Sequence, residues 1–281
     1  MKHQKLLQVC PAAIDQISAF KTESLTRSIK EKYPDHKSRL IHAYPSDAKH
    51  RSIKEKYNDL LNNMKLPEIK RALIISGGEP QAIPERGSFD LVIACDRGLE
   101  YALGAGIIPD IVIGDLDSYE GDADPDDFNC IKLPVRKDLS DSHCALIYAL
   151  EHGCTDITFC CIMGGRLDHM AANMQMAVCG AANGAVVRFE GDLDKVCVFA
   201  GKTLKFPKAE GWSFSVLSMT DISEGIIIKN ASYPADGITL TNAETRGLSN
   251  EWLDGPITVG VHKGILAVIM SSKDRKTPDV S

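Results

Sequence analysis

From Arg71 onward, short and largely apolar runs of strand length alternate with segments of helical pattern, and that alternation leaves few ways to fold. The runs cover residues 72–76, 91–95, 111–113, 157–162 and 185–189. Between them, residues 98–104, 141–152 and 167–182 read as helices, the second opening on Ser140 or Asp141 as its N-cap. Strands joined through helices must cross over, so the expected core is a mostly parallel, Rossmann-like α/β sheet with both faces covered. Past Lys195 the helical pattern stops. Short runs at 196–199, 214–219, 225–229, 238–241, 257–261 and 265–270, broken by Gly, Asn, Asp and Pro, point to a small all-β sandwich. The last two runs, joined by His262-Lys263-Gly264, read as a hairpin. The expected division is an N-terminal appendage at 1–70, an α/β catalytic domain at 71–194 and a β-sandwich at 195–281.

The appendage is basic and thin in apolar residues, and it repeats Arg27-Ser28-Ile29-Lys30-Glu31-Lys32-Tyr33 letter for letter at residues 51–57. Two copies do not make a solenoid. Met64 stands as an alternative start just ahead of the organised part.

Ligands of open α/β sheets bind outside the carboxyl ends of the strands. Asp96, the pair Asp115 and Asp117, and Gly164-Gly165-Arg166 all fall at those ends. Carboxylates at i and i+2 at the end of a strand point to one side, where a hard cation suits them. Asp138 and Asp141 lie close in sequence, and so many carboxylates at one edge repel one another unless a cation compensates them. Oxygen ligands, with no metal-ligand spacing among the His and Cys residues, favour magnesium over zinc. Arg166, following two glycines at the first turn of a helix, adds backbone N–H groups and a guanidinium suited to phosphate. Asp168 and His169 orient Arg166 or cap the helix, and Asn173 lies one turn beyond His169 on the same face. In the β region Trp252, one of two tryptophans, follows Gly247-Leu248-Ser249-Asn250-Glu251. It is either a plug for the sandwich core or a stacking face for a flat or cationic ring.

The formal charge of −6 gives no footprint for a nucleic acid. The longest apolar stretches, such as residues 264–270, fall far short of a bilayer span, and no signal-type apolar core follows Met1, so a cytoplasmic protein is expected. Nine scattered cysteines without a Cys-x-x-Cys pair read as buried thiols in a reducing compartment.

These residues together resemble the thiamin pyrophosphokinase family over residues 71–270. The most specific parts are Gly114-Asp115-Leu116-Asp117-Ser118, Asp138-Leu139-Ser140-Asp141, and residues 164–169 with Asn173. The resemblance implies transfer of a diphosphate from ATP to the hydroxyl of thiamin, releasing AMP. It implies magnesium held by Asp115, Asp117 and Asp138, and nucleotide phosphates bound by Asp138, Asp141, Arg166, Asp168, His169 and Asn173. It further implies catalytic roles for Asp96, Asp117 and Arg166, and a thiamin pocket that Ser249, Asn250 and Trp252 complete across a homodimer interface. Three positions depart from the family pattern: Arg97 follows Asp96 where glycine is usual, Ser140 replaces threonine while keeping the hydroxyl, and Ala231-Ser232 precedes Tyr233 in place of the more usual Gly-Leu. Two other classes fit parts of the pattern: a magnesium-dependent aspartyl-phosphate phosphatase, which also places Asp-x-Asp after a strand, and a nucleotide or thiamin sensor without turnover.

Overall fold

The structure is a computed structural model that describes residues 70–116, 119–134 and 138–274. The repeated heptapeptide, Met64 and Asp117 lie outside the described residues. In chain order the first half comprises β1 (Lys70–Ile75), β2 (Leu91–Cys95), α1 (Gly98–Gly104), β3 (Ile111–Gly114), β4 (Cys130–Lys132), α2 (Asp141–Glu151), β5 (Cys154–Cys160), α3 (Leu167–Ala182) and β6 (Val186–Glu190). The six strands are parallel and lie in the order β4-β3-β2-β1-β5-β6. Residues 72–75 of β1 are fully buried because both faces are covered. Leu73 and Ile75 pack with Ala102 of α1 on one side, while Ala72 and Ile74 pack with Leu146 of α2 and Ala177 of α3 on the other. This is why the run is apolar throughout rather than alternating.

The second half comprises β7 (Asp194–Ala200), β8 (Thr203–Phe206), β9 (Trp212–Ser218), β10 (Ile222–Lys229), β11 (Ala235–Thr241), β12 (Ile257–Gly260) and β13 (Ile265–Ser272). Strands β7, β13 and β9 join the edge of the parallel sheet in antiparallel fashion, making nine strands in the order β4-β3-β2-β1-β5-β6-β7-β13-β9. The other four form an antiparallel sheet, β11-β10-β12-β8, and the two sheets enclose the sandwich core. The expected α/β part and β-sandwich are therefore both present, but the sheet runs unbroken through the expected boundary at 194/195. Period-two alternation explains how: Val196 and Val198 of β7 face the α/β core, while Cys197 and Phe199 face the sandwich. In β13, Ile265 and Ala267 face the first core, and Leu266 and Val268 the second.

The expected hairpin at His262-Lys263-Gly264 is corrected. Strand β12 pairs with β10 and β8, and β13 with β7 and β9, so this turn carries the chain from one sheet to the other. Gly264 is required there. Its φ is +100°, and a Cβ would lie 2.4 Å from the Ser223 hydroxyl oxygen and 2.8 Å from its Cα. No helix among the described residues is long and apolar enough to cross a membrane, and no disulfide joins their eight cysteines.

Candidate active site

The chain leaves β1 to build β2, β3 and β4 on one side, then returns to place β5 on the other side of β1. The carboxyl ends of β1 and β5 thus flank the topological switch point, the crevice where open sheets of this kind bind ligands. The carboxylate cluster lies next to it, at the ends of β2 and β3.

Asp96 follows β2 with a left-handed φ of +47°, a strained conformation for a side-chain-bearing residue. Its Oδ1 accepts the Leu116 N–H at 3.2 Å, which ties the end of β2 to the loop after β3. Two glycines make the arrangement possible. A Cβ on Gly114 would sit 1.9 Å from Asp96 Oδ1, and one on Gly98 would sit 2.0 Å from the Ile75 carbonyl oxygen. Ser140 caps α2 by accepting the His143 N–H at 3.3 Å, leaving Asp141 as the first helical residue, and the Ser76 and Ser142 hydroxyls meet at 3.0 Å. Burial pushes the Asp96 carboxyl up to about 7, reinforced by the charge and hydrogen bond of Asp141 and by Asp115, and opposed by the Leu116 N–H.

That crowding of like charge fits a divalent cation, because a cation offsets the repulsion that adds to burial in raising the Asp96 carboxyl. Of the expected ligands, Asp115 lies just past the end of β3, Asp138 is exposed ahead of α2, and Asp117 is outside the described residues. Among the described residues no three acidic, His or Cys side chains are already gathered in a metal-holding group.

Across the crevice, β1 ends in Ser76-Gly77-Gly78-Glu79 and β5 in Cys161-Ile162-Met163-Gly164-Gly165-Arg166. The Gly78 N–H donates to the Cys161 carbonyl at 2.8 Å, and a Cβ on Gly78 would lie 2.6 Å from that oxygen. Gly164 and Gly165 both have positive φ, at +92° and +68°. The Gly165 N–H donates to Glu79 Oε1 at 3.1 Å. Arg166 makes a two-pronged contact with Asp168, at 3.1 Å and 2.5 Å, and the His169 N–H donates to the same carboxylate at 3.0 Å. The Arg166 hydrogen bond holds the Asp168 carboxyl below the usual carboxylate range. Arg166, Asp168 and His169 are exposed, whereas Asn173 is half-buried and donates to the Ile162 carbonyl at 2.9 Å, bracing the loop. The loop at 77–79 was not anticipated. Its signal was available, since Gly77-Gly78 follows an apolar run just as Gly164-Gly165 does.

In the sandwich, the N–H of Ser249 donates to the Ser215 hydroxyl at 3.1 Å, and its φ is +56°. Asn250 is buried and fully employed. Its backbone exchanges hydrogen bonds with Phe214 at 2.7 and 2.9 Å, its Oδ1 accepts the Tyr233 and Glu251 N–H groups, and its Nδ2 donates to the Tyr233 carbonyl. Trp252 is 8% exposed and meets Phe214 edge-on, with ring centroids 4.7 Å apart. Of its two readings, the core plug describes its position; the ring offers no open stacking face. The exposed face nearby belongs to Tyr233 and Leu248, which line a cavity of about 400 Å³ with Arg246 and Asn250.

The 249–252 loop is pinned to β9, at one edge of the nine-stranded sheet, while Asp115 follows β3, second from the other edge. Seven inter-strand steps at about 4.8 Å put these strands roughly 33 Å apart.

Residues 87–187 match the family model described as thiamin pyrophosphokinase, catalytic domain. A curated relative, the thiamine pyrophosphokinase of Bacillus subtilis (strain 168), is 28% identical over 213 residues, spanning 73% of this chain and all of the relative. The crystal structure of the Bacillus subtilis thiamine pyrophosphokinase superposes with a TM-score of 0.63 at 27% identity, covering 73% of this chain and 100% of that one. Yeast thiamin pyrophosphokinase shares the fold at a TM-score of 0.56 and 12% identity, over 74% of this chain and 88% of its own.

Proposed function

We propose that this chain, which belongs to the thiamin pyrophosphokinase family, transfers a diphosphate from ATP to the primary hydroxyl of thiamin, giving thiamin diphosphate and AMP. The observation that carries the reading is the half-buried Asp96 beside Asp141, at the rim of a switch-point crevice whose other wall offers Gly165, Arg166 and His169. A carboxyl that titrates at about 7 is matched to proton transfer near neutral pH. Asp96 takes the proton of the thiamin hydroxyl as its oxygen attacks the β-phosphorus. The bond from that phosphorus to the α,β-bridging oxygen breaks, and the electron pair leaves on AMP. Arg166, released from Asp168, neutralises charge on the transferring group. Asp115, Asp117 and Asp138 would hold magnesium, which when bound supplies charge neutralisation on the phosphates.

The roughly 33 Å between β3 and β9 supports a homodimer in which the 249–252 loop of one chain faces the carboxylates of the other. In that arrangement Asn250 positions the loop, and Tyr233 and Leu248 are the side chains free to meet thiamin. The carboxylate cluster suits a cationic substrate. We place the protein in the cytoplasm, where ATP and reduced thiols are available.

The test is to incubate purified protein with thiamin, ATP and magnesium and to follow AMP and thiamin diphosphate together. Equal amounts of both are expected. Inorganic phosphate without AMP would point to a phosphatase, and binding without turnover to a sensor.

A further inference from the structure

The Gly164-Gly165 turn is already in contact with an anion, and that anion is part of the protein. Glu79 reaches from the loop after β1 to the turn after β5, a separation of 86 residues in sequence, and its Oε1 takes the Gly165 N–H at 3.1 Å. Its Oε2 lies 2.6 Å from where a Cβ on Gly164 would stand, so the carboxylate lies directly against the turn. The neighbouring cation does not neutralise it, because Arg166 pairs with Asp168 instead. The Gly165 N–H, the Arg166 guanidinium and the His169 N–H therefore each face a carboxylate oxygen. A phosphate oxygen presents the same acceptor chemistry to the same donors. Asp168 rides on the helix that carries Arg166, but Glu79 belongs to the opposite wall, so its contact spans the crevice between β1 and β5.

We infer that Glu79 is an internal competitor for the Gly164-Gly165 turn, one that the phosphate chain of an incoming nucleotide must displace before it can bind. This rests on the proposed nucleotide-binding function and deepens it. Glu79 weakens the grip on phosphate in two ways: it occupies the Gly165 N–H, and once displaced it remains a negative charge beside the phosphate chain. A nucleoside without phosphates escapes both effects. Glu79 thus acts on the phosphate contribution to affinity and leaves recognition of the base untouched, which separates it from a residue that merely holds the loop.

The experiment is calorimetric titration of the full chain and of its Glu79→Gln and Glu79→Ala variants with α,β-methylene-ATP plus magnesium, and separately with adenosine. Both variants are expected to bind the triphosphate analogue about five- to tenfold more tightly, the scale of losing one exposed charged competitor, with adenosine affinity within about twofold of the original. Selective labelling of glycine nitrogen gives a readout independent of nucleotide: the Gly165 amide resonance should move between the unaltered chain and Glu79→Gln. An unmoved Gly165 resonance, or analogue affinity unchanged or weakened in both variants while the unaltered chain binds it, overturns the inference and leaves the proposed function standing. If the unaltered chain binds neither adenosine nor the analogue, the proposed function fails and this inference with it.

Discussion

Replacing Asp96 with Asn should stabilise the fold at alkaline pH while abolishing turnover. Asp96 titrates at about 7 instead of near 3.8, chiefly because burial penalises its charge and Asp141 repels it. The folded chain therefore holds this proton more tightly than the unfolded chain. Between about pH 4 and pH 7 unfolding releases it, stability grows as pH falls, and above pH 7 ionised Asp96 is a net destabiliser. At about 1.4 kcal/mol per pH unit the ceiling is roughly 4 kcal/mol, and because Asp96 is only partly buried, solvent screening reduces it to about 1–2 kcal/mol. Asparagine carries no charge and retains the oxygen that accepts the Leu116 N–H. Urea unfolding without metal should show Asp96→Asn more stable than the unaltered chain by that amount at pH 8.5, with the advantage fading toward pH 5. Magnesium at pH 8.5 should raise the stability of the unaltered chain more than that of the variant, since a ligand that binds only the folded state stabilises it. A variant no more stable at pH 8.5 than at pH 5, relative to the unaltered chain, would refute the raised titration of Asp96.

Asp115→Ala should lower kcat by a factor of about a hundred or more with an unchanged circular dichroism spectrum, as expected when charge stabilisation at a transferring phosphoryl group is lost; near-normal turnover would place the metal elsewhere. Trp252→Ala should cost about 3–5 kcal/mol in urea unfolding by opening a cavity against Phe214, with Trp252→Phe costing less; an alanine variant of full stability but raised KM for thiamin would return the ring to the pocket. A chain starting at Met64 should remain soluble and keep its activity, and loss of either would show that residues 1–63 pack on the rest. Mixing Asp115→Ala chains with Ser249→Lys chains, each inactive alone, should restore up to about a quarter of normal activity if a dimer shares its sites; no recovery despite proven subunit exchange would place the pocket within one chain.

The parallel half of the fold was legible because its signals are local. Helices α1 and α3 run over the expected residues, and α2 departs by a single residue at its end, since glycines, a serine cap and 3.6-residue periodicity mark them without reference to the rest of the chain. Strands β4 and β8 escaped notice because Cys130-Ile131-Lys132 and Thr203-Leu204-Lys205-Phe206 are too short and too polar to stand out. The false hairpin has a more general cause. Ile257 and Val259 of β12 and Leu266 and Val268 of β13 share one core from opposite sheets, and apolar alternation reports which face is buried but not which sheet a strand joins. The site divides in the same way. Asp96, Asp115 and Arg166 follow from their places after strands, whereas the burial of Trp252 depends on Phe214, 38 residues earlier, and the contact of Glu79 on a turn 86 residues later.

Backbone strain connects the two halves of the proposed site. Among the described residues the non-glycine positions with positive φ are Asp96, Leu116, Cys161, Asn230 and Ser249. Asp96, Leu116 and Cys161 lie just past the ends of β2, β3 and β5, around the crevice. The other two lie in the sandwich: Ser249 in the 249–252 loop, and Asn230, just past β10, bracing the chain beyond that loop by donating to the Asp254 and Pro256 carbonyls. Such a conformation costs up to about 1–2 kcal/mol, less for Asp and Asn, and such strain persists only where the surrounding structure over-determines it. Here the surroundings are the ends of strands buried on both faces, and a loop pinned on either side by Phe214 and Tyr233. In the proposed homodimer, a loop held rigid to meet the other chain's crevice would account for strain at both ends of one sheet.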